Sequence, residues 1–296
     1  MSLLKLKNTT LLFVETRAHK ITQRVIDDCI SKADFGDIVV FTDKPAQFNI
    51  PGARIIPCID FPNKRDAGAF YYSEAMKAVE TDFALMLEWD AGIFDATKWL
   101  PEFFDYDYIG APWVVRPGEE YDVGNGGFTL MSRKLGHKLC ESRRQVPVYT
   151  DMDVSRLARR HLEPLGFKWP KRDLASCFAW ELGPRNPEHF GFHGAFTWPV
   201  TLPEDEMFAR ARLMLETDYL TVKLAALVRR EPRIIAEFSD EERDRYLSVV
   251  PMNHVLRPRI PGVMSPQQRA AMLLMQAQRR GFISHAQKSN QTGLKA

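Results

Sequence analysis

Residues 83–90 read Phe-Ala-Leu-Met-Leu-Glu-Trp-Asp: an apolar run of strand length that ends in two acids, Glu88 and Asp90, with one residue between them. A strand buried on both faces of a parallel sheet has this apolar character. In open α/β sheets, ligands gather at the carboxyl ends of such strands. Two carboxylates at that point are costly to bury unless a cation neutralises them. A hard divalent cation shared with a phosphate does this well. An acid-x-acid pair alone is common and can equally cap a turn, so its neighbours decide its meaning.

Other segments carry chemistry of the same kind. Glu15-Thr16-Arg17 follows a first apolar run, where Arg17 can face a phosphate or a base. Asn63-Lys64-Arg65-Asp66 places two cations ahead of a helical pattern, which suits a diphosphate because a helix N-terminus adds positive field. Val123-Gly124-Asn125-Gly126-Gly127-Phe128 is glycine-rich enough for a backbone to approach a ligand closely. Asp151 and Asp153 precede a helical pattern starting at Val154. Asp153 is expected to cap that helix and Asp151 to reach a cleft. His193 stands in Phe190-Gly191-Phe192-His193-Gly194, where small neighbours leave an imidazole free to complete a metal shell.

Alternating strand and helix patterns position these residues. Strands are expected over Thr10–Glu15, Asp37–Phe41 (closed by Thr42-Asp43-Lys44-Pro45), Ala53–Pro57, Phe83–Leu87 and Gly126–Ser132. Ile21, Val25, Cys29 and Ile30 mark one helical face; Tyr72, Ala75, Met76 and Val79 mark another; residues 133–143 read as a third helix. Such alternation means βαβ units and a mixed, mainly parallel sheet with Phe83–Leu87 inside it. From about residue 201 the pattern turns helical: Met207, Phe208, Ala211 and Leu215, then 219–229 and 266–280. The expected division is therefore residues 1–200 and a helical region 201–296, with a polar, disordered tail from Lys288.

The 296 residues are 45% hydrophobic and 26% charged, as in an ordinary soluble protein, and a net charge of +2 gives no electrostatic case for nucleic acid. Scattered Cys29, Cys58, Cys140 and Cys177 suit reduced thiols. Neither a secretory leader nor a membrane span is apparent, so a cytoplasmic location is expected. Oligomeric state is not encoded legibly.

Taken in order, the segments resemble a known group. Glu88-Trp89-Asp90 is similar to the Asp-x-Asp element of GT-A glycosyltransferases. Tyr106-Asp107-Tyr108-Ile109-Gly110-Ala111-Pro112-Trp113, then Gly124-Asn125-Gly126-Gly127-Phe128, resembles the signature of a bacterial and fungal family of glycosyltransferase-like proteins, as does Phe190–Gly194. The resemblance covers residues 10–197. It implies a GT-A, Rossmann-like mixed sheet flanked by helices. It also implies metal-assisted, inverting transfer of a sugar from a nucleotide-diphosphate donor to a glycan or other hydroxyl acceptor, of the kind used in polysaccharide biosynthesis. On that basis Asp90 and His193 would share a Mn²⁺ or Mg²⁺ ion. Glu88 would touch ribose or sugar, and Gly126 and Gly127 would line the cleft. Thr16, Arg17, Asp43, Arg65 and Trp89 would serve the donor, and Asp151 or Asp153 would be the base. The chain departs from the pattern in having Glu-x-Asp for Asp-x-Asp, and Thr150-Asp151-Met152-Asp153 where relatives have adjacent Glu-Asp. Two other readings are a nucleotidyltransferase, disfavoured because the loop after the first strand lacks glycine, and a catalytically silent glycan- or nucleotide-sugar-binding module.

Overall fold

The computed structural model describes residues 3–114, 121–142 and 145–249. The chain divides into two compact units, Met1–Thr197 and Trp198–Ala296.

The first unit is built on a six-stranded mixed sheet of order β3-β2-β1-β4-β7-β6. Its strands are β1 (Leu4–Val14), β2 (Ala33–Thr42), β3 (Arg54–Pro57), β4 (Phe83–Leu87), β6 (Tyr108–Gly110) and β7 (Phe128–Ser132). β1 to β4 pair in parallel, whereas β7 runs antiparallel to both β4 and β6. β4 is therefore an inner strand, and residues 84–87 are buried.

Side chains alternate across this sheet. Leu12, Val39, Ala84, Met86 and Met131 share one cluster with Tyr72, Ala75, Met76 and Val79, and with Leu135 and Leu139 of α3 (Arg133–Ser142). Leu11, Phe13, Leu85 and Leu130 are also fully buried, on the alternate face. On α1 (His19–Lys32), Ile21, Val25, Ile26 and Cys29 are buried.

Both first strands begin earlier than the hydrophobic runs suggest. Leu4–Leu6 pair with Ala33–Phe35, and the register shifts before Thr10. Lys5 and Lys7 hide this segment by polarity; both reach Asp34, at 2.8 and 2.6 Å. The second helix also starts early. α2 (Lys64–Ala69) continues through a π-helical turn at Phe70–Glu74 and a 3₁₀ turn at Ala75–Ala78. Lys64 and Arg65 are thus its first residues rather than a loop before it. Asn63 caps this helix by accepting from the Asp66 amide at 3.0 Å, while its own amide donates to the Asp66 carboxylate at 2.9 Å.

A second, three-stranded sheet, ordered β5-β9-β8, joins β5 (Gly92–Ile93), β9 (Gly191–Phe192) and β8 (Ala179–Trp180). A helical run from Asp151, π-helical over Asp153–Ala158, ends as α4 (Arg159–Leu162), and α5 (Arg172–Phe178) leads into β8. Phe128, Phe178 and Phe190 form an aromatic cluster between the two sheets.

The second unit is helical over its described part: α6 (Trp198–Thr201), α7 (Glu204–Leu215), α8 (Thr221–Arg230), α9 (Arg233–Glu237) and α10 (Asp240–Val249). Met207, Ala211 and Leu215 of α7 are buried as their spacing predicts. The helix expected over 266–280 and the tail from Lys288 lie outside the described residues. Among the described residues, no helix is long and apolar enough to cross a membrane.

Candidate metal centre and glycine turn

Antiparallel pairing of β5 with β9 aligns Gly92 with Phe192. Asp90 lies just before one strand and His193 just after the other, so residues far apart in sequence meet. His193 Nε2 is 3.3 Å from Asp90 Oδ1 and 3.6 Å from Glu88 Oε2. One ligand atom from each of Glu88, Asp90 and His193 falls within 4.8 Å of the others. Asp90 is almost fully buried, whereas the Glu88 side chain is 49% exposed. The cluster therefore opens to solvent on the Glu88 side.

Both imidazole nitrogens of His193 are buried, and neither has a well-formed hydrogen bond despite the acids around them. Burial opposes charge on this ring, but Asp90 foremost, then Glu181 and Glu88, raise its pKa well above the usual histidine value. Two carboxylates and an imidazole, crowded around one point with the ring nitrogens unsatisfied, are a donor set that fits a divalent cation.

The glycine turn packs directly against this cluster. The Glu88 amide donates to the Gly127 carbonyl at 2.9 Å. A Cβ at Gly127 would run into the His193 ring, and one at Gly126 would run into the Tyr72 hydroxyl. Glycine is needed here for close approach: neither residue has a positive φ, whereas neighbouring Gly124 does, at 130°. The Gly126 amide donates to Asp151 Oδ2 at 2.9 Å. Burial raises the Asp151 pKa, opposed by the amides of Gly126 and Met152 and assisted by Glu88 and Glu181. Asp151 is thus a half-buried carboxylate at the turn, in the field of the other acids.

Asp153 has a different environment. Its Oδ2 accepts from the amides of Tyr149 and Thr150, both at 2.9 Å, and the Thr150 hydroxyl accepts from the Asp153 amide at 3.2 Å. This reciprocal arrangement caps the helical run.

The remaining expected residues divide by position. Thr16, Arg17 and Asp43 follow β1 and β2, on the same sheet edge as Glu88. Thr16 is half-buried. The Arg17 guanidinium donates to the Phe61 carbonyl at 3.0 Å, and Asp43 Oδ1 lies 2.6 Å from His19 Nε2. Glu15 is buried and serves the turn: its Oε1 accepts from the amides of Arg17 and Ala18 at 2.6 and 2.7 Å, and its Oε2 from the Thr22 hydroxyl at 3.1 Å. Arg65 is exposed, with its guanidinium 4.1 Å from the centre of the Tyr149 ring. Trp89 is 6% exposed, so its ring packs inside the fold.

Sequence reasoning missed Glu181. β8 pairs in parallel with β9, matching Trp180 to Phe192. One residue further along, Glu181 falls opposite His193. Glu181 Oε1 lies 3.3 Å from His193 Nδ1, and its other oxygen accepts from the Asn125 amide at 2.8 Å. The available signal was an acid directly after a short apolar run, the pattern that drew attention to Glu88.

A family model described as a protein of unknown function (DUF5672) matches residues 61–193, less than half of the chain. That range includes every member of the cluster. No curated protein matches. Among solved structures, HddC from Yersinia pseudotuberculosis overlaps 44% of this chain and 79% of its own, at 12% identity and a TM-score of 0.32. Glucosyl-3-phosphoglycerate synthase from Mycobacterium tuberculosis, in complex with Mn²⁺, uridine diphosphate and glucosyl-3-phosphoglycerate, overlaps 43% of this chain at 14% identity and a TM-score of 0.32. A second complex of that enzyme, with Mn²⁺, uridine diphosphate and phosphoglyceric acid, overlaps 46% at 13% identity and the same TM-score. The chain spans 57% and 64% of those two structures. Likeness at this level carries no information about the chemistry of the present site.

Proposed function

We propose that this protein is a metal-assisted glycosyltransferase of GT-A type, moving a sugar from a nucleotide-diphosphate donor to a hydroxyl acceptor with inversion. One observation carries the reading: the Glu88–Asp90–His193 cluster stands beside a glycine turn that holds a separate, half-buried carboxylate, Asp151. Asp90, Glu88 and His193 would hold the cation. When bound, a Mn²⁺ or Mg²⁺ ion neutralises charge on the departing diphosphate.

Asp151 is the assigned base. Its Oδ2 is oriented by the Gly126 amide, and its raised pKa moves it toward neutrality, where a carboxylate accepts protons more effectively. In the reaction the acceptor oxygen bonds to the anomeric carbon, the bond from that carbon to the diphosphate breaks, and the hydroxyl proton moves to Asp151. Gly126 and Gly127 are assigned to the wall of the sugar cleft through their backbone, with Tyr72 and His193 filling the space that side chains there would need. Arg17, Thr16 and Asp43, further along the sheet edge, are assigned to the nucleotide, with Arg65 near the diphosphate.

A panel of sugar nucleotides with and without Mn²⁺ tests this reading. A matching donor should raise the melting temperature only when Mn²⁺ is present, through mass action, and should be slowly hydrolysed. Asp151→Asn should abolish transfer while leaving the donor-dependent shift intact. No shift with any donor would sink the assignment. Binding without turnover in the wild type would leave a sugar-nucleotide-binding module instead.

A further inference from the structure

The proposed roles leave two largely covered polar groups without a function, Asn125 and Glu181. Asn125 is 7% exposed, and the Glu181 side chain is 13% exposed. Together they complete a circuit around the cluster. The Gly127 amide donates to Asn125 Oδ1 at 3.1 Å, and Asn125 Nδ2 donates to Glu181 Oε2 at 2.8 Å. Glu181 Oε1 faces His193 Nδ1 at 3.3 Å. His193 Nε2 faces Asp90 and Glu88, and the Glu88 amide returns to the Gly127 carbonyl. The turn at 124–127 thus touches the acids from one side and the imidazole from the other.

We propose that Asn125 and Glu181 are positioning residues that fix the His193 ring for a divalent cation, with the glycine turn as the frame that holds them. The proposal rests on the metal-assisted reading above. An imidazole offers a metal one nitrogen, and which one is set by what holds the N–H of the other. Glu181 is on the Nδ1 side and the two candidate ligand acids are on the Nε2 side. The two nitrogens of the ring point apart, so Glu181 cannot share a cation that Nε2 shares with Asp90. Its place is that of an acceptor for Nδ1–H, which leaves Nε2 as the nitrogen whose proton a cation would replace beside the acids.

Glutamate is flexible and needs orienting itself. Asn125 supplies this with one amide that both donates, to Glu181, and accepts, from Gly127. Aspartate at 125 has no hydrogen to donate. Asn125 and His193 face different oxygens of Glu181, so glutamine at 181 turns an NH2, a donor, toward one of them. Gly127 closes the remaining freedom, because any side chain there would displace the ring.

The test uses the full chain and Mn²⁺ alone, with free aquo-Mn²⁺ followed by electron paramagnetic resonance and apo melting temperature by circular dichroism. Glu181→Gln should weaken Mn²⁺ binding by roughly 10- to 100-fold. Asn125→Ala should weaken it by less, about three- to tenfold, because Glu181 remains but is no longer held. Since the two act in series, the double variant should bind no more weakly than Glu181→Gln alone. A folded Glu181→Gln protein with wild-type Mn²⁺ affinity would overturn the proposal and leave the metal site standing. So would single losses that add in full. If Glu181→Gln does not fold, Asn125→Ala decides: wild-type affinity there is equally fatal. A wild-type chain that binds no Mn²⁺ defeats both this inference and the reading beneath it.

Discussion

The carboxyl ends of β1 and β2 and that of β4 lie along one edge of the same sheet, but they treat buried charge in opposite ways. After β1, Glu15 is buried and fully used: two backbone amides and a hydroxyl donate to its oxygens. His19 and Asp43 face each other at 2.6 Å. After β4, Asp90 is buried and so are both ring nitrogens of His193, but those nitrogens face carboxylates at 3.3 to 3.6 Å without a well-formed hydrogen bond. Unmade hydrogen bonds in the interior are expensive, and a fold tolerates them where something else completes the set. The first region is finished by the protein alone, while the second keeps its imidazole nitrogens beside carboxylates that could hold a cation with them.

A second histidine, on the other side of the short strand β9, sharpens the contrast. His189 is fully buried, with Nδ1 2.9 Å from the Gly191 carbonyl and Nε2 accepting from Arg185 at 2.9 Å. Burial and the nearby Arg185 hold its pKa down to about 4, against a lift toward normal from the Gly191 carbonyl. His193, four residues on, has its pKa pushed the other way by acids. The same residue type at the two ends of one strand is structural in one place and a candidate ligand in the other, and the difference lies in its neighbours.

The largest effect that can break this contrast is at Asp90. Asp90→Asn should reduce Mn²⁺ affinity by more than about 100-fold, beyond the usual effect of an outer-shell change, while circular dichroism reports a folded protein. Retained affinity in titration calorimetry would remove the second region's claim. Glu15→Ala should do the opposite. It strands the amides of Arg17 and Ala18 at the start of α1, so unfolding free energy in a urea titration should fall by about 2 kcal/mol. Mn²⁺ affinity should not change; if it falls with stability, the two regions are not separate in function.

A smaller effect separates the two aspartates of the 151–153 segment. Asp153→Ala removes the acceptor for the amides of Tyr149 and Thr150 and should cost about 0.5–2 kcal/mol, with donor binding and turnover retained per folded molecule. Asp151→Asn should leave neutral-pH stability nearly unchanged, because relief of a partly buried charge is offset by an NH2 turned toward the Gly126 or Met152 amide. The Asp151 pKa is raised in the fold, so its carboxylate form is the costly one. Any gain from the asparagine should be absent below the ordinary aspartate pKa and grow as pH rises through the raised one. Lost stability with full turnover in Asp151→Asn would move the base assignment to Asp153.

The smallest effect at neutral pH belongs to His189. Its pKa is lowered in the fold from 6.5 to about 4. Its contribution is therefore full above pH 6.5 and is lost as pH falls through that interval, because the unfolded chain takes up the proton first. His189→Gln should flatten the decline in melting temperature between those limits by a few degrees. An unchanged acid profile would assign the decline to other groups.

Local pattern alone determined much of this protein. The apolar run at Phe83–Leu87 identified an inner strand, because strand burial needs only neighbouring residues of the right type. The spacing of Tyr72, Ala75 and Met76 identified a buried helical face for the same reason, and Val79, also buried, follows its last turn. The pair Glu88 and Asp90, the glycine turn and His193 were each conspicuous as types in short contexts. What the tertiary structure decided was partnership. Antiparallel pairing of Gly92 with Phe192 brings Asp90 to His193, and parallel pairing of Trp180 with Phe192 brings Glu181 to the far side of the same ring. Those strands are two residues long, too short to announce themselves by periodicity. Glu15 and Asn63 stand in the segments that offered Arg17, Lys64 and Arg65 as phosphate contacts, and the fold uses both to satisfy backbone amides. Residue type limits what a side chain can donate or accept. Which groups lie within three ångströms of it, and so whether it is already satisfied, depends on strand register across the whole chain.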